Sequence, residues 1–288
     1  MKIKRKKGWW TRALGINLAE KYSGKVAERF KMQSLATAFT NREYDWDGVK
    51  TLHVYTIPTV ALNNYNRTAG ANRYGTPSEL QDDEQTMTVT QDKSFTFIID
   101  KGNNIDQMNV KGAGKALKRE IDEVIVPTED KYVFSVIAES AKPQTAQGAI
   151  SKANAYEMFL AGQTALDNAL VPAAGRIAAV NATTLAKLKQ DSAFVLASEM
   201  GQKIKINGLV GELDGVKIVK VPDNYLPTGC EFFITHPSVT VKAEKLKDYK
   251  IHDNPPGISG NLVEGRIYYD AFVLDAKKDG IYAHYSAV

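Results

Sequence analysis

Apolar residues recur at helical spacing through residues 113–141. Leu117, Ile121, Val124 and Ile125 form one stripe, and Val133, Phe134, Ile137 and Ala138 form a second beyond Pro127. The pattern predicts a long helix, interrupted once, that packs along the body of the protein. Pro127 lacks the amide hydrogen that an unbroken ladder needs but suits a first turn. A second helix is therefore expected to restart there, with Thr128, Glu129 and Asp130 complementing the positive end of its dipole. Before this strut the period changes to two. Residues 48–62 and 85–100 alternate and are rich in β-branched residues, which predicts the two strands of one long hairpin, the first an edge or bulged at Pro58.

After the strut, a helix over 151–170 is expected, capped by Ser151 and stopped by Pro172, with Ala153, Tyr156, Phe159, Leu160, Leu166 and Leu170 on its apolar side. A buried strand at 176–181, a short helix at 183–189, a hairpin of 208–213 with 216–221 and a strand at 232–235 follow. Asp214-Gly215 between two β-prone runs specifies a type I′ turn. Residues 266–275 and 281–285 are expected to pair across Asp279 and Gly280 as a terminal hairpin whose aromatic residues pack on the strut. Helices and antiparallel hairpins in this order make an α+β fold.

With 288 residues and 43% apolar content the chain can bury one large domain or two interlocked ones. The formal charge of +4 is unevenly spread: the first 31 residues hold ten Lys or Arg against Glu20 and Glu28, which leaves a mildly acidic body behind a basic arm. Lys4, Arg5, Lys6 and Lys7 at its head would serve equally against nucleic acid, a membrane surface or an acidic neighbour. Tyr22 and Phe30 are among its scattered apolar anchors, a pattern that suits an arm lying on something else. No apolar run follows Lys7, so no signal peptide is expected, and no window reaches the length of about eighteen apolar residues that a membrane span needs.

Residues 63–84 hold almost no core-forming side chains yet carry Tyr65, Arg67, Arg73 and Tyr74, types favoured where proteins meet, so this loop is expected to bind a partner. Candidate chemistry is sparse. Residues 111–117 (KGAGKAL) suggest a phosphate loop, but Asn109 stands where its first glycine belongs and Ala116 replaces the Ser or Thr. His53, His236, His252 and His284 are too far apart for a metal pair, and Cys230, the only cysteine, has no activating neighbour. Glu129 with Asp130, and Asp82 with Asp83 and Glu84, read as cap and loop carboxylates. No active site and no cofactor are expected.

The order of parts resembles the major capsid protein of tailed bacteriophages with the HK97-type fold. The resemblance is carried by YSGKVAERF at 22–30, GVKTLHVYTIPTVALNNYNR at 48–67, NRYGTP at 72–77, VPTEDKYVFSVIA at 126–138, GLVGELDGVKIVKVP at 208–222 and EGRIYYDAFVLDAKKDGIYA at 264–283. It implies a basic N-terminal arm over 1–47, an extended loop over 48–100, and a peripheral domain with the spine helix over 101–141 and 259–288. An inserted axial domain would span 142–258. It further implies a structural, non-enzymatic subunit that self-assembles as hexamers and pentamers into an icosahedral shell around double-stranded DNA, bound without sequence specificity. Assembly would take place in the host cytoplasm with a portal and a separate scaffolding protein. Tyr22, Phe30, Tyr65, Arg67, Arg73 and Tyr74 would then lie between subunits, and the arm's Lys4, Arg5, Lys6 and Lys7 against DNA or a neighbour. Some relatives cross-link subunits through a loop lysine, but no lysine lies between Lys50 and Lys93 here, so no such bond is expected. The alternatives are an encapsulin-like nanocompartment with an enzyme cargo, which shares the fold, and a soluble enzyme with a nucleic-acid-binding arm.

Overall fold

Two short strands open the ordered chain and make a ribbon of their own. In the computed structural model, which describes residues 33–41, 43, 44, 46, 50–106, 111–141, 146–191, 206, 207 and 209–286, β1 (Thr51–Thr56) pairs antiparallel with β2 (Asp83–Thr88). β1 ends before Pro58, so the proline needs no bulge. The run 85–100, expected as one strand, is two. At Val89 and Thr90 the chain leaves the ribbon, and β3 (Gln91–Asp100) joins a different sheet. Val89 is fully buried and the Thr90 amide is taken by Asp270, so neither continues the ladder with β1.

The strut follows as α1 (Lys101–Asp106), α2 (Ala113–Glu120), a π-helical stretch Ile121–Ile125, and α3 (Val126–Ser140). The expected restart at Pro127 is corrected: the helix runs from 113 to 140 with one wide turn. There the Val126 amide donates to the Ile121 carbonyl, five residues back, which carries the Pro127 ring clear of the carbonyl it would strike in an α-helical ladder. The extra residue in that turn also shifts the phase of the stripe. Ile125 is buried, whereas Val124 is 47% exposed. Beyond the turn, Val133, Phe134, Ile137 and Ala138 are fully buried, as expected.

α4 (Ala155–Asn168) is shorter than its predicted span. Ser151 belongs to a preceding turn around the Asn154 carboxamide, and Leu170 is 90% exposed at a left-handed backbone position. Then come β4 (Ile177–Asn181), α5 (Ala182–Gln190), β5 (Ile206–Asn207), β6 (Leu209–Leu213), β7 (Val216–Val221), β8 (Cys230–Thr235), β9 (Thr240–Asp253), β10 (Gly260–Val273) and β11 (Ile281–Tyr285). Asp214 and Gly215 both have positive φ, as the type I′ turn between β6 and β7 requires. The terminal hairpin is not formed. β10 lies between β3 and β9, while β11 pairs with β8 at the edge of a six-stranded sheet ordered β11-β8-β4-β7-β6-β5. The helical turn Asp275–Gly280 carries the chain from one sheet to the other. β9, inside the segment expected to be a separate domain, likewise belongs with β10.

Both faces of the six-stranded sheet are covered, with the period of two that strands impose. Ile177, Ala179, Val219, Phe233 and Ala283 pack under α3, and Ala178, Val180, Ile218, Phe232 and Ile234 pack under α4 and α5. The three-stranded sheet is covered on one side, where Ile99 and Val263 meet α2 and Ile267 and Tyr269 meet the wide turn. The strut thus spans both sheets, and Tyr132 stands edge-on to Tyr269 at 5.8 Å, as the aromatic strands led one to expect. α4 crosses its sheet closely because Gly162 has no side chain: a Cβ there would lie 2.7 Å from the Tyr282 ring and 3.2 Å from Ile234. Gly162→Val is expected to cost about 1–3 kcal/mol by overpacking, read as a lowered Tm. An unchanged Tm would show that α4 can lift without loss.

Candidate functional site

From 57 to 82 the chain has no regular structure, but it is shaped. The Asn66 amide donates to the Arg73 carbonyl at 3.0 Å, and the Asn66 side-chain oxygen accepts from the Thr68 amide and hydroxyl and from the Ala69 amide. Arg73 Nε donates to the Ala69 carbonyl at 2.7 Å, and Tyr65 and Tyr74 meet edge-to-face at 4.9 Å. Of the expected contact residues, Tyr65, Arg73 and Tyr74 are therefore brought together in one tip. Arg67 is apart, exposed and without a partner among the described residues. Tyr22, Phe30, Lys4, Arg5, Lys6 and Lys7 lie outside the described residues. Tyr55, Ile57, Val60, Leu62, Tyr74 and Leu80 are all exposed along the loop, more apolar surface than a finished monomer usually leaves in one element.

The loop is free only beyond its attachment. Trp46 stacks on Phe272 at 5.3 Å, and Met87 and Val89 are buried with Val241, Ala243 and Leu274. Gln85 holds the ribbon to the end of β10 from both ends of its carboxamide: Nε2 donates to the Val273 carbonyl at 2.8 Å, and Oε1 accepts from the Asp275 amide at 3.0 Å. Asp270 couples ribbon to strut. One carboxylate oxygen takes the amide and hydroxyl of Thr90, each at 2.8 Å, and the other takes the Tyr132 hydroxyl at 2.6 Å. Burial first, then the hydrogen bond and charge of Asp270, push the Tyr132 phenol well above its ordinary pKa, so it stays a donor.

The chain that leads in from the arm is tied down as firmly. Asp130, 1% exposed, accepts from Ser34 Oγ at 2.7 Å and from the amides of Leu35 and Ala36 at 2.8 and 3.3 Å. These amides start the helical turn Ala36–Phe39, whose own N-cap, Leu35, has no capping side chain. Phe39 then enters the core against Phe134 and Phe233. Beside Asp130, Glu129 crosses to β9. Its Oε2 lies 2.8 Å from Lys242 Nζ and 3.3 Å from Lys247 Nζ, and Glu244 bridges the same two lysines at 2.9 and 3.2 Å. Burial alone would raise the Glu244 pKa, but Lys242 and Lys247 outweigh it and hold the carboxyl down to about 2. Burial would lower Lys242, and Glu129 with Glu244 reverse that and raise it. The reading of Glu129 and Asp130 as solvated cap residues is thereby corrected. Arg176 was also missed from the sequence: 2% exposed, it ties Asp167 and the Val171 and Pro172 carbonyls at the end of α4 to the start of β4.

The remaining polar groups offer little for catalysis. Burial, then the charge of Glu231, pushes the Cys230 thiol up to about 12. His53 is hydrogen-bonded to Glu84, His252 to Glu264 at 2.8 Å, and His284 to the Gly148 carbonyl at 2.9 Å. No group of three potential metal ligands occurs among the described residues. The uncovered face of the three-stranded sheet carries a shallow groove of about 420 Å³, crossed by the Arg266–Asp92 and Lys250–Asp248 ion pairs. No helix among the described residues is long and apolar enough to cross a membrane.

Neither a family model nor a curated protein sequence matches the chain. Solved structures do. The chain superimposes on a structure of Mycobacterium phage Che8 with a TM-score of 0.75 at 19% identity, over 94% of this chain and 98% of that one. The capsid structure of the cyanophage P-SCSP1u gives 0.69 at 16% identity, over 93% of each chain. A virus-like particle from Pyrococcus furiosus gives 0.51 at 13% identity, over 88% of this chain and 92% of that one. The fold is therefore the HK97-like capsid fold, α+β, over nearly the whole chain.

Proposed function

We propose that the protein is a structural subunit, the major capsid protein of a tailed bacteriophage, which assembles with copies of itself into an icosahedral shell enclosing double-stranded DNA. The observation that carries this reading is a loop with exposed apolar side chains and a preformed tip, held at its base by Gln85, Trp46 and Asp270. Such a loop buries too little on its own chain to offset its ordering, and a neighbouring subunit supplies the missing contacts. In this reading the strut is the spine helix, the three-stranded sheet belongs to the peripheral domain, and the six-stranded sheet is the body of the axial domain. Hexamers and pentamers form the shell, and a portal and a separate scaffolding protein join its assembly in the bacterial host. The basic arm, with Lys4, Arg5, Lys6 and Lys7, lies against DNA or the neighbours. No catalytic step is assigned to the chain.

The likeness to the virus-like particle favours a second reading, an encapsulin-like compartment, but at a TM-score of 0.51 against 0.75 it is the weaker one. Expression of the full chain, alone and with its scaffolding protein, should yield closed shells in electron micrographs, with nuclease-protected DNA in particles from infected cells. A co-purifying enzyme without DNA would move the assignment to the second reading, and a persistent monomer would sink both. On a denaturing gel the shells should run as a single band, because the loop holds no lysine to cross-link. A covalent ladder traced to residues 63–84 would contradict that.

A further inference from the structure

The tip and the neck of the extended loop both expose surface that the subunit leaves uncovered, and they carry opposite charge. Residues 57–78 include Arg67 and Arg73 and no acid, whereas 79–84 include Glu79, Asp82, Asp83 and Glu84 and no base. Within the tip, Arg73 is engaged by the Ala69 carbonyl, while Arg67, two residues from the Tyr65–Tyr74 pair, has no partner among the described residues. At the neck, where the loop leaves the body, Tyr55, Ile57 and Leu80 are exposed. They adjoin a groove of about 320 Å³ lined by Thr56, Asp83, Glu84, Gln85, Asp275 and Ala276. Glu84 is paired with His53, but Asp83 and Asp275 have no cation beside them among the described residues.

We propose that the loop tip of one subunit docks on the loop neck of a second copy, laying Tyr65 and Tyr74 on Tyr55, Ile57 and Leu80 and placing Arg67 in the groove between Asp83 and Asp275. The inference rests on the shell-subunit reading and names the surface that receives the loop. A second copy fits this neck for three reasons. Its apolar surface needs an apolar, aromatic cover, its acids need a guanidinium, and the tip supplies both in a shape already fixed by its own hydrogen bonds, which lowers the entropy lost on docking. Tip and neck are different surfaces, so the contact is heterologous, and each copy gives one and receives one; such contacts close into rings when the rotation allows.

The test is a charge exchange in the full chain, read by sedimentation and electron microscopy under conditions where the wild type assembles. Arg67→Glu and Asp83→Arg should each raise the concentration needed for assembly about tenfold or more, since each sets like charges face to face. Both residues are exposed, so circular dichroism and Tm of the subunit should not change. The double variant Arg67→Glu/Asp83→Arg should return the threshold to within about threefold of wild type, because the pair is restored with its sign reversed. Single variants that assemble like the wild type, or a double variant no better than the worse single, overturn the contact and leave the shell reading intact. A wild-type chain that never assembles overturns both.

Discussion

Glu129→Ala should destabilise the subunit by about 3–5 kcal/mol, measured by urea denaturation, because it leaves a buried lysine without its main counter-charge. Glu129 is 4% exposed and the Lys242 side chain 3%, so water cannot take over the lost contact. Two ammonium groups would then share Glu244 where α3 crosses β9. Glu129→Gln keeps the volume and one acceptor, so its loss should be smaller. The double variant Glu129→Leu/Lys242→Met should recover much of the stability, since it removes both ions and fills the space with apolar atoms. If Glu129→Ala falls within 1 kcal/mol of the wild type, the network is not the clamp between strut and strand described above.

The same network sets an acid limit. The carboxyl of Glu244 titrates near 2 in the folded chain against an ordinary value of 4.5, so between these pH values the unfolded chain binds the extra proton. Its contribution is complete above pH 4.5 and is lost as pH falls through about 2. Lys242 has the opposite sign: its raised pKa stabilises below 10.5, and that part is lost only as pH rises through the still higher folded value. Glu244→Gln should therefore flatten the acid limb of the stability curve and leave the alkaline limb to Lys242 and its remaining partner Glu129.

What the amino-acid pattern revealed and concealed follows from how local each signal is. The stripe Val133, Phe134, Ile137 and Ala138 fixed the buried side of α3, and Asp214-Gly215 fixed a hairpin, because both depend on neighbours within a few residues. Pairing partners were not legible. β3, β9 and β10 meet across more than a hundred residues of chain, and nothing in 85–100 marks Thr90 as the point where one sheet ends and another begins except its distant partner Asp270. β9 escaped notice because Lys242, Glu244, Lys245, Lys247, Asp248 and Lys250 make it look like a solvated segment. Glu129 and Asp130 carried a signal that went unused. They stand four residues before Val133 and Phe134, on the buried stripe itself, where a carboxylate must have partners. At the candidate site the composition of 63–84 pointed to Tyr65, Arg73 and Tyr74, but their joining into one tip depends on Asn66 and the Ala69 carbonyl.

The second large effect concerns the arm's point of attachment. Asp130→Ala should cost about 2–4 kcal/mol, because the Leu35 and Ala36 amides lose a charged acceptor and the Ala36 amide is left buried without another. Phe39→Ala should cost about 3–5 kcal/mol, because the ring is fully buried 5.2 Å from Phe134 and 5.5 Å from Phe233 and the core would keep a cavity. The two losses should not add. Asp130 anchors the front of the turn Ala36–Phe39 and Phe39 its end, so either change frees the same short segment from the strut, and the second finds less to remove. Assembly gives a sharper readout than stability. Residues 33–41 are the described chain nearest the basic arm, and they also touch β9 through the Asn41–Thr240 and Lys242–Asn41 backbone bonds. Once they are released, the arm has no fixed origin, so shells should fail to form at concentrations where the variant subunit is still folded by circular dichroism. Additive stability losses, or normal shells from Asp130→Ala, would mean that the arm is held by its neighbours and not by the strut.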